Sequence, residues 1–299
     1  MVNSISADII SRRTTAAGAG STRTMPGFLI FDTESVPDGD LLSRVKYPGE
    51  NLTAEQAIER ARMEARELSR DGSDFLPVTF QVPVAVCVLR VATDFTLQAL
   101  ACLDAPHFRP AEIVRQFWRG VAHYNRSKLV TFNGRGFDLP LLELAAFDHG
   151  CSARDYFINS RNRYNGNHLD LMDWVSNFGA CRIAGGLSMM AQRAAGGRPP
   201  GCGKLDVAGD QVYGLYKAGK LQEINDYCMF DTIDTYFVFL RTRVLTGELT
   251  AEEEELLAWR ARDWLARKMT ELPALQTYVQ AWDALHTRPD RFRVLAHPA

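Results

Sequence analysis

The chain has 299 residues, of which 46% are hydrophobic and 23% charged, and a formal net charge of −2. This is the composition of a globular protein able to bury a substantial core. The near-neutral balance excludes a protein that coats nucleic acid by bulk charge, although a local basic groove is compatible with it. No apolar run approaches the ~20 residues of a membrane-spanning helix.

Residues 1–26 are rich in Ser, Thr, Ala and Gly and carry Arg12, Arg13 and Arg23 without an apolar segment. They read as a disordered tail on a cytoplasmic protein, with a transit peptide as the alternative. Phe28-Leu-Ile-Phe31 is a short buried-strand signal that runs straight into Asp32 and Glu34. In extended backbone these acids share a face. Two like charges held so close favour a counter-charge, and a divalent cation with oxygen ligands is the economical one. A turn cap at Asp32 beside a solvated Glu34 is the bland alternative for so short a motif.

Val36-Pro37-Asp38-Gly39 signals a turn, after which residues 43–80 read as a charged insertion. In it, Thr53 and Gln56 form a capping box for a helix reaching about Arg70, with Ile58, Ala61, Ala65 and Leu68 as a thin apolar stripe. Val78 to Val91 and Thr96 to Cys102 are expected as antiparallel strands, with Pro83 near a start or an exposed edge. Pro110 opens a helix whose Ile113, Val114, Phe117, Trp118, Val121 and Tyr124 recur at helical spacing. Lys128 to Phe132 is a strand, followed by Asn133-Gly-Arg-Gly-Phe-Asp138 and a helix from about Pro140.

Residues 151–168 read as a polar loop with interleaved Arg and aromatic side chains, and His168 to Trp174 lead into another helix. The Gly-Lys at Gly203-Lys204 is not a phosphate-binding loop, because Arg198 and Leu205 stand where that motif needs Gly and Ser or Thr. Helices follow over Leu187–Ala195, Asp210–Lys217 and Leu221–Leu245. Thr250 and Glu253 then cap a C-terminal helix with Leu256, Leu257, Trp264, Leu265 and Met269 on one side. The six cysteines, Cys87, Cys102, Cys151, Cys181, Cys202 and Cys228, form no C-x-x-C pair and are expected to be reduced. The element order is that of a mixed α/β domain.

Two further acids stand out. Asp138 follows a strand at its C-terminal end, where ligand-binding residues of open sheets collect, although it can equally cap the next helix. Asp231 sits mid-helix among Met229, Phe230, Ile233, Tyr236 and Phe237, with Tyr227 one turn earlier on the same face. An acid there carries a desolvation cost unless it has a partner.

Asp32-Thr-Glu34, Asn133-x-x-x-Phe-Asp138 and Tyr227-x-x-x-Asp231, in that order, resemble the three motifs of the DEDD (DnaQ-like) 3'-5' exonuclease superfamily in its tyrosine-bearing branch. More closely, the chain resembles the predicted exonucleases related to the proofreading domain of family B DNA polymerases. The resemblance covers roughly residues 27–245. It implies a ribonuclease H-like α/β fold, a mixed sheet flanked by helices over residues 27–247, with the helical insertion and a C-terminal helical extension at 248–299.

It further implies that Asp32, Glu34, Asp138 and Asp231 hold two divalent cations, Mg²⁺ or Mn²⁺, and that Tyr227 positions the attacking water. The implied activity is metal-dependent 3'-5' exonuclease action on single-stranded or frayed DNA ends, releasing nucleoside 5'-monophosphates. An exoribonuclease and a catalytically silent nucleic-acid-binding module are the alternatives.

Candidate substrate contacts are Thr33, Asn133, Phe137, Arg161 and Arg163, since stacking and a few cations suit a single-stranded end. Phe137 is also a natural core anchor. Asp170 and Asp173 are expected to be structural or capping, His168 to be a hydrogen-bonded loop residue, and Cys228 to pack. No polymerase palm is expected in this stretch. The insertion and the C-terminal helix are surface decoration or a place for a protein partner to dock.

Overall fold

The computed structural model describes residues 25–70, 72–164, 166–194 and 209–286. The expectations for most of the N-terminal tail, for the Gly-Lys loop and for Cys202 lie outside them. Five strands form one sheet in the order β3-β2-β1-β4-β5: β1 (Phe28–Pro37), β2 (Gln81–Val91), β3 (Leu97–Cys102), β4 (Lys128–Thr131) and β5 (His168–Asp170). β2 runs antiparallel to both of its neighbours, β1 and β3, whereas β4 runs parallel to β1 and β5 parallel to β4. With helices on both faces, this is a ribonuclease H-like α/β fold.

β1 is longer than its apolar run predicts. Pairing with β2 continues from Phe28↔Val91 to Pro37↔Gln81, with a register shift between Glu34 and Ser35, so Asp32 and Glu34 lie inside a strand and not at its end. The turn comes later: Asp38 caps α1 (Gly39–Leu41) by accepting from the Leu41 N–H at 2.9 Å, and a π turn, Leu42–Lys46, follows. Val78–Phe80 is a 3₁₀ turn and not strand. Pro83 falls in the part of β2 that β3 does not reach, because β3 pairs only with Cys87 to Val91; a residue without an N–H is tolerated there.

Alternation along β1 divides the core in two. Leu29 and Phe31 pack with Val86, Leu129, and Ile113, Val114 and Phe117 of α3 (Pro110–His123), together with Leu139 and Leu142 of α4 (Asp138–Asp148). Ile30 and Val36 join the opposite core under α9 (Leu221–Leu245), beside Cys228, Met229, Ile233 and Phe237. Asp32 and Glu34 share the parity of Ile30, so they project towards α9.

The insertion makes a small core of its own, in which Ala57, Ile58 and Ala61 of α2 (Ala54–Leu68) meet Leu42, Tyr47 and Leu76. Leu68, expected on that stripe, is 87% exposed. Residues 151–168 contain a short helix, α5 (Arg154–Asn159), anchored by the buried Tyr156. Next come α6 (Leu171–Val175), α7 (Gly186–Arg193) and α8 (Gly209–Lys217).

The C-terminal region holds two helices where one is expected: α10 (Ala251–Lys268) and α11 (Leu275–His286). Leu257, Ala261, Leu265, Tyr278 and Trp282 share a core with α9, whereas Leu256 is half exposed. Covering α9 from the side away from the sheet explains why its sequence is apolar all round. The Tyr278 hydroxyl donates to Asp234 Oδ1 at 2.6 Å and Arg241 pairs with Glu254 at 2.7 Å, fastening these layers together. Both expected capping boxes form, at Thr53/Gln56 and Thr250/Glu253. No described helix is long and apolar enough to cross a membrane.

Candidate active site

Packing α9 against β1 brings acids from both together. Carboxylate oxygens of Asp32, Glu34 and Asp231 all lie within 4.8 Å of one another. Cys228, fully buried in α9, donates its thiol hydrogen to the main-chain carbonyl of Asp32 at 3.2 Å, which pins the helix to the strand beside the cluster. Its expected packing role therefore includes alignment of the acids.

Asp138 reaches the same neighbourhood from another layer. It is buried as the first residue of α4, and its Oδ1 accepts from the Thr33 hydroxyl at 2.6 Å. The side chain thus points across to β1, and the alternative in which it caps its own helix does not describe it. Thr33 has the opposite parity to Asp32 and Glu34, and it is the residue through which β1 grips the fourth acid.

The electrostatics of the cluster favour positive charge beside it. Burial pushes the Asp32 carboxyl well above its usual range, and Cys228, Asp138, Asp231 and Glu34 push it further. Glu34 is raised by burial, then by Asp231 and Asp138. Asp138 is pushed up to about 7 by burial, against the Thr33 hydrogen bond that favours its anion. The largest influences on Asp32 and Glu34 all act in one direction, so ionising them together is costly until a cation arrives. The donor set is hard carboxylate oxygen held on two rigid elements, which fits a hard divalent cation and not a thiophilic metal.

Tyr227 lies one turn before Asp231 and is partly buried. Burial, then Asp231, Glu34 and Asp32, push its hydroxyl far above the ordinary phenol range, so it is a neutral donor at the edge of the cluster.

The Asn133–Phe137 turn is shaped from below. Asp170 Oδ1 accepts from the Asn133 N–H at 2.9 Å and Oδ2 from the Arg135 N–H at 2.8 Å, while Oδ1 also caps α6 through the Met172 N–H at 3.0 Å. Asn133 is exposed and left-handed at φ 66°. Gly134 presses on Thr131 so closely that a Cβ would sit 2.4 Å from its hydroxyl oxygen. Asp170 and Asp173 have the structural roles expected of them. His168 lies in β5 and not in a loop, 2.8 Å from the Thr131 hydroxyl, and burial lowers its pKa to about 3.

Phe137 precedes Asp138, is only half-buried, and stands outside the core clusters, its ring 5.5 Å from Phe75 of the insertion. Arg161 pairs with Glu143 at 3.2 Å and Arg163 with Asp173 at 3.0 Å, lying over the rings of Phe157 and Phe178. Their charged partners are thus Glu143 and Asp173 and not the clustered acids. Sequence reasoning passed over Phe75, which no spacing signal links to position 137, and it underrated Asp170 as the anchor of the turn.

A family model described as a predicted 3'-5' exonuclease related to the exonuclease domain of PolB matches residues 73–282. The chain belongs to this family. The matched stretch includes Asp138, Tyr227 and Asp231, whereas Asp32 and Glu34 precede it. Among solved structures, the chain is similar to the family B DNA polymerase of the hyperthermophilic archaeon Pyrobaculum calidifontis. Identity is 16% over 85% of this chain, with a TM-score of 0.47, and the aligned part spans 30% of the polymerase chain. Comparison with curated proteins returns no match.

Proposed function

We propose that this member of the exonuclease family is a metal-dependent 3'-5' exonuclease acting on single-stranded or frayed DNA ends and releasing nucleoside 5'-monophosphates. The observation that carries the reading is the convergence of Asp32, Glu34 and Asp231 within 4.8 Å in a setting that raises the first two. A binding module that used no metal would have no reason to bear that electrostatic cost.

Asp32, Glu34, Asp138 and Asp231 would hold two divalent cations, Mg²⁺ or Mn²⁺. Bound there, such ions supply charge neutralisation and a water acidic enough to attack a phosphodiester at neutral pH. The chain's own residues do the rest. Tyr227, kept protonated by its surroundings, orients the water through its hydroxyl and does not act as a strong base. Thr33 holds Asp138 and favours its anionic form, the form able to ligate. The Asn133–Phe137 turn, fixed by Asp170, presents an exposed amide and an aromatic ring beside the acids. The free thiols Cys87, Cys102 and Cys228 suit a reducing, cytoplasmic setting.

The test is degradation of 5'-labelled single-stranded DNA and RNA with Mg²⁺ or Mn²⁺, with Asp32→Ala and Asp231→Ala as controls. The expected result is a ladder shortening from the 3' end of DNA, absent in both variants. Shortening of RNA alone would reassign the substrate. No cleavage of either polymer with either metal, by a folded protein, would refute the enzyme.

A further inference from the structure

The insertion places an aromatic side chain against Phe137, the residue that precedes Asp138. Phe75 is 49% exposed, yet its neighbours Asp74 and Leu76 are 5% and 3% exposed. The Asp74 carboxylate accepts from Arg62 at 3.0 Å and also from Arg66, both on α2. Leu76 belongs to the small core of the insertion, and its carbonyl accepts from Gln81 Nε2 at 3.1 Å. A buried, ion-paired carboxylate and a buried leucine therefore clamp the chain on either side of a phenyl ring left half in water. The held flanks thus fix where the ring lies.

The ring is presented to Phe137, with centroids 5.5 Å apart and planes inclined at 56°. Phe137 adjoins Asp138, whose carboxyl is tied to Thr33, between the clustered acids Asp32 and Glu34 on β1. The aromatic pair is thus coupled by chain and hydrogen bond to the place where the terminal phosphodiester would be held. Two inclined rings offer a flat nucleobase the face of one and the edge of the other, a contact indifferent to which base is bound.

We propose that Phe75, supplied by the insertion, pairs with Phe137 to seat the base of the 3'-terminal nucleotide, so that Phe75 is a substrate-binding residue of this exonuclease. The proposal rests on the exonuclease reading above.

The test compares first-cleavage kinetics of wild type, Phe75→Ala and Phe75→Tyr on two 5'-labelled single-stranded DNAs, one ending in a normal nucleotide and one in a 3'-terminal abasic residue. Phe75→Ala is expected to raise KM for the normal end about ten-fold, with kcat little changed, the size of one lost base stack. On the abasic end wild type drops to the level of the variant, which loses nothing more, and Phe75→Tyr restores wild-type behaviour on the normal end. If Phe75→Ala fails to fold, Phe75→Leu keeps apolar bulk without the ring and carries the same expectation. Equal losses on both ends would make Phe75 a purely structural cover for Phe137 and overturn the seat, as would an unchanged KM on the normal end. A wild type inactive on every polymer would refute the exonuclease reading itself, whereas an active enzyme indifferent to Phe75 would refute only this inference.

Discussion

Replacing Thr33 with Val removes one hydroxyl from the gap between β1 and α4 and leaves the side-chain shape almost intact. That hydroxyl donates to Asp138 at 2.6 Å and is the chief influence opposing the rise of its pKa to about 7. A hydrogen bond to a charged group contributes roughly 1.5–3 kcal/mol, equivalent to about one to two pH units for the carboxyl it serves. The sign is fixed by which form is favoured. The bond stabilises the anion, so its loss raises the pKa, and the pH at which Asp138 becomes free to ligate moves upward.

Through Asp138, the wild type should accordingly gain metal affinity and activity as pH rises through about 7. Thr33→Val should trace the same curve displaced about one pH unit or more to the alkaline side, recovering near pH 9. The metal-free protein behaves in reverse. The folded state keeps a proton on Asp138 that the unfolded chain has already lost, so this group costs stability progressively between pH 3.8 and about 7, reaching roughly 4 kcal/mol. Mn²⁺ should offset that cost, giving a thermal shift larger at pH 8 than at pH 6. Initial rates of 3' degradation from pH 5.5 to 9, with Mn²⁺ melts at three pH values, measure both. A Thr33→Val enzyme with an unmoved acid limb and a uniformly lower rate would show Thr33 to be a substrate or packing contact and refute the reasoning.

Asp231→Asn removes one of three crowded acids; the metal-free variant should melt no lower than wild type, yet lose Mn²⁺-induced stabilisation and 3' degradation together. Tyr227→Phe should reduce kcat about 10- to 100-fold while metal-induced stabilisation is retained, and no alkaline limb assignable to Tyr227 should appear below pH 10, because its surroundings hold the phenol neutral. Gly134→Ala would drive a Cβ to 2.4 Å from the Thr131 hydroxyl oxygen; displacement of the turn should show as a lower melting temperature and a raised KM. Tyr278→Phe deletes the 2.6 Å hydrogen bond to the buried Asp234 and should lower stability by about 1–3 kcal/mol in denaturant melts, with activity per folded molecule unchanged.

Much of this arrangement was legible in the chain because it depends on periodicity. Asp32 and Glu34 share a face since side chains two apart in a strand must; Tyr227 and Asp231 meet since one helical turn separates them. Both capping boxes were readable from spacing alone, and the apolar stretch 221–245 read as one long helix. Tertiary structure decided the rest. β1 runs past its apolar residues because β2 supplies a hydrogen-bonding partner down to Pro37, a choice that residues 28–37 cannot make alone. Thr33 finds Asp138 across 105 positions of chain, and Phe75 finds Phe137 only because Arg62, Arg66 and Leu76 fix the strap that carries it. Local sequence sets which way a side chain points along its own element. Which side chain it meets is set by the packing of elements far apart in sequence, and the acids of this site become a site only there.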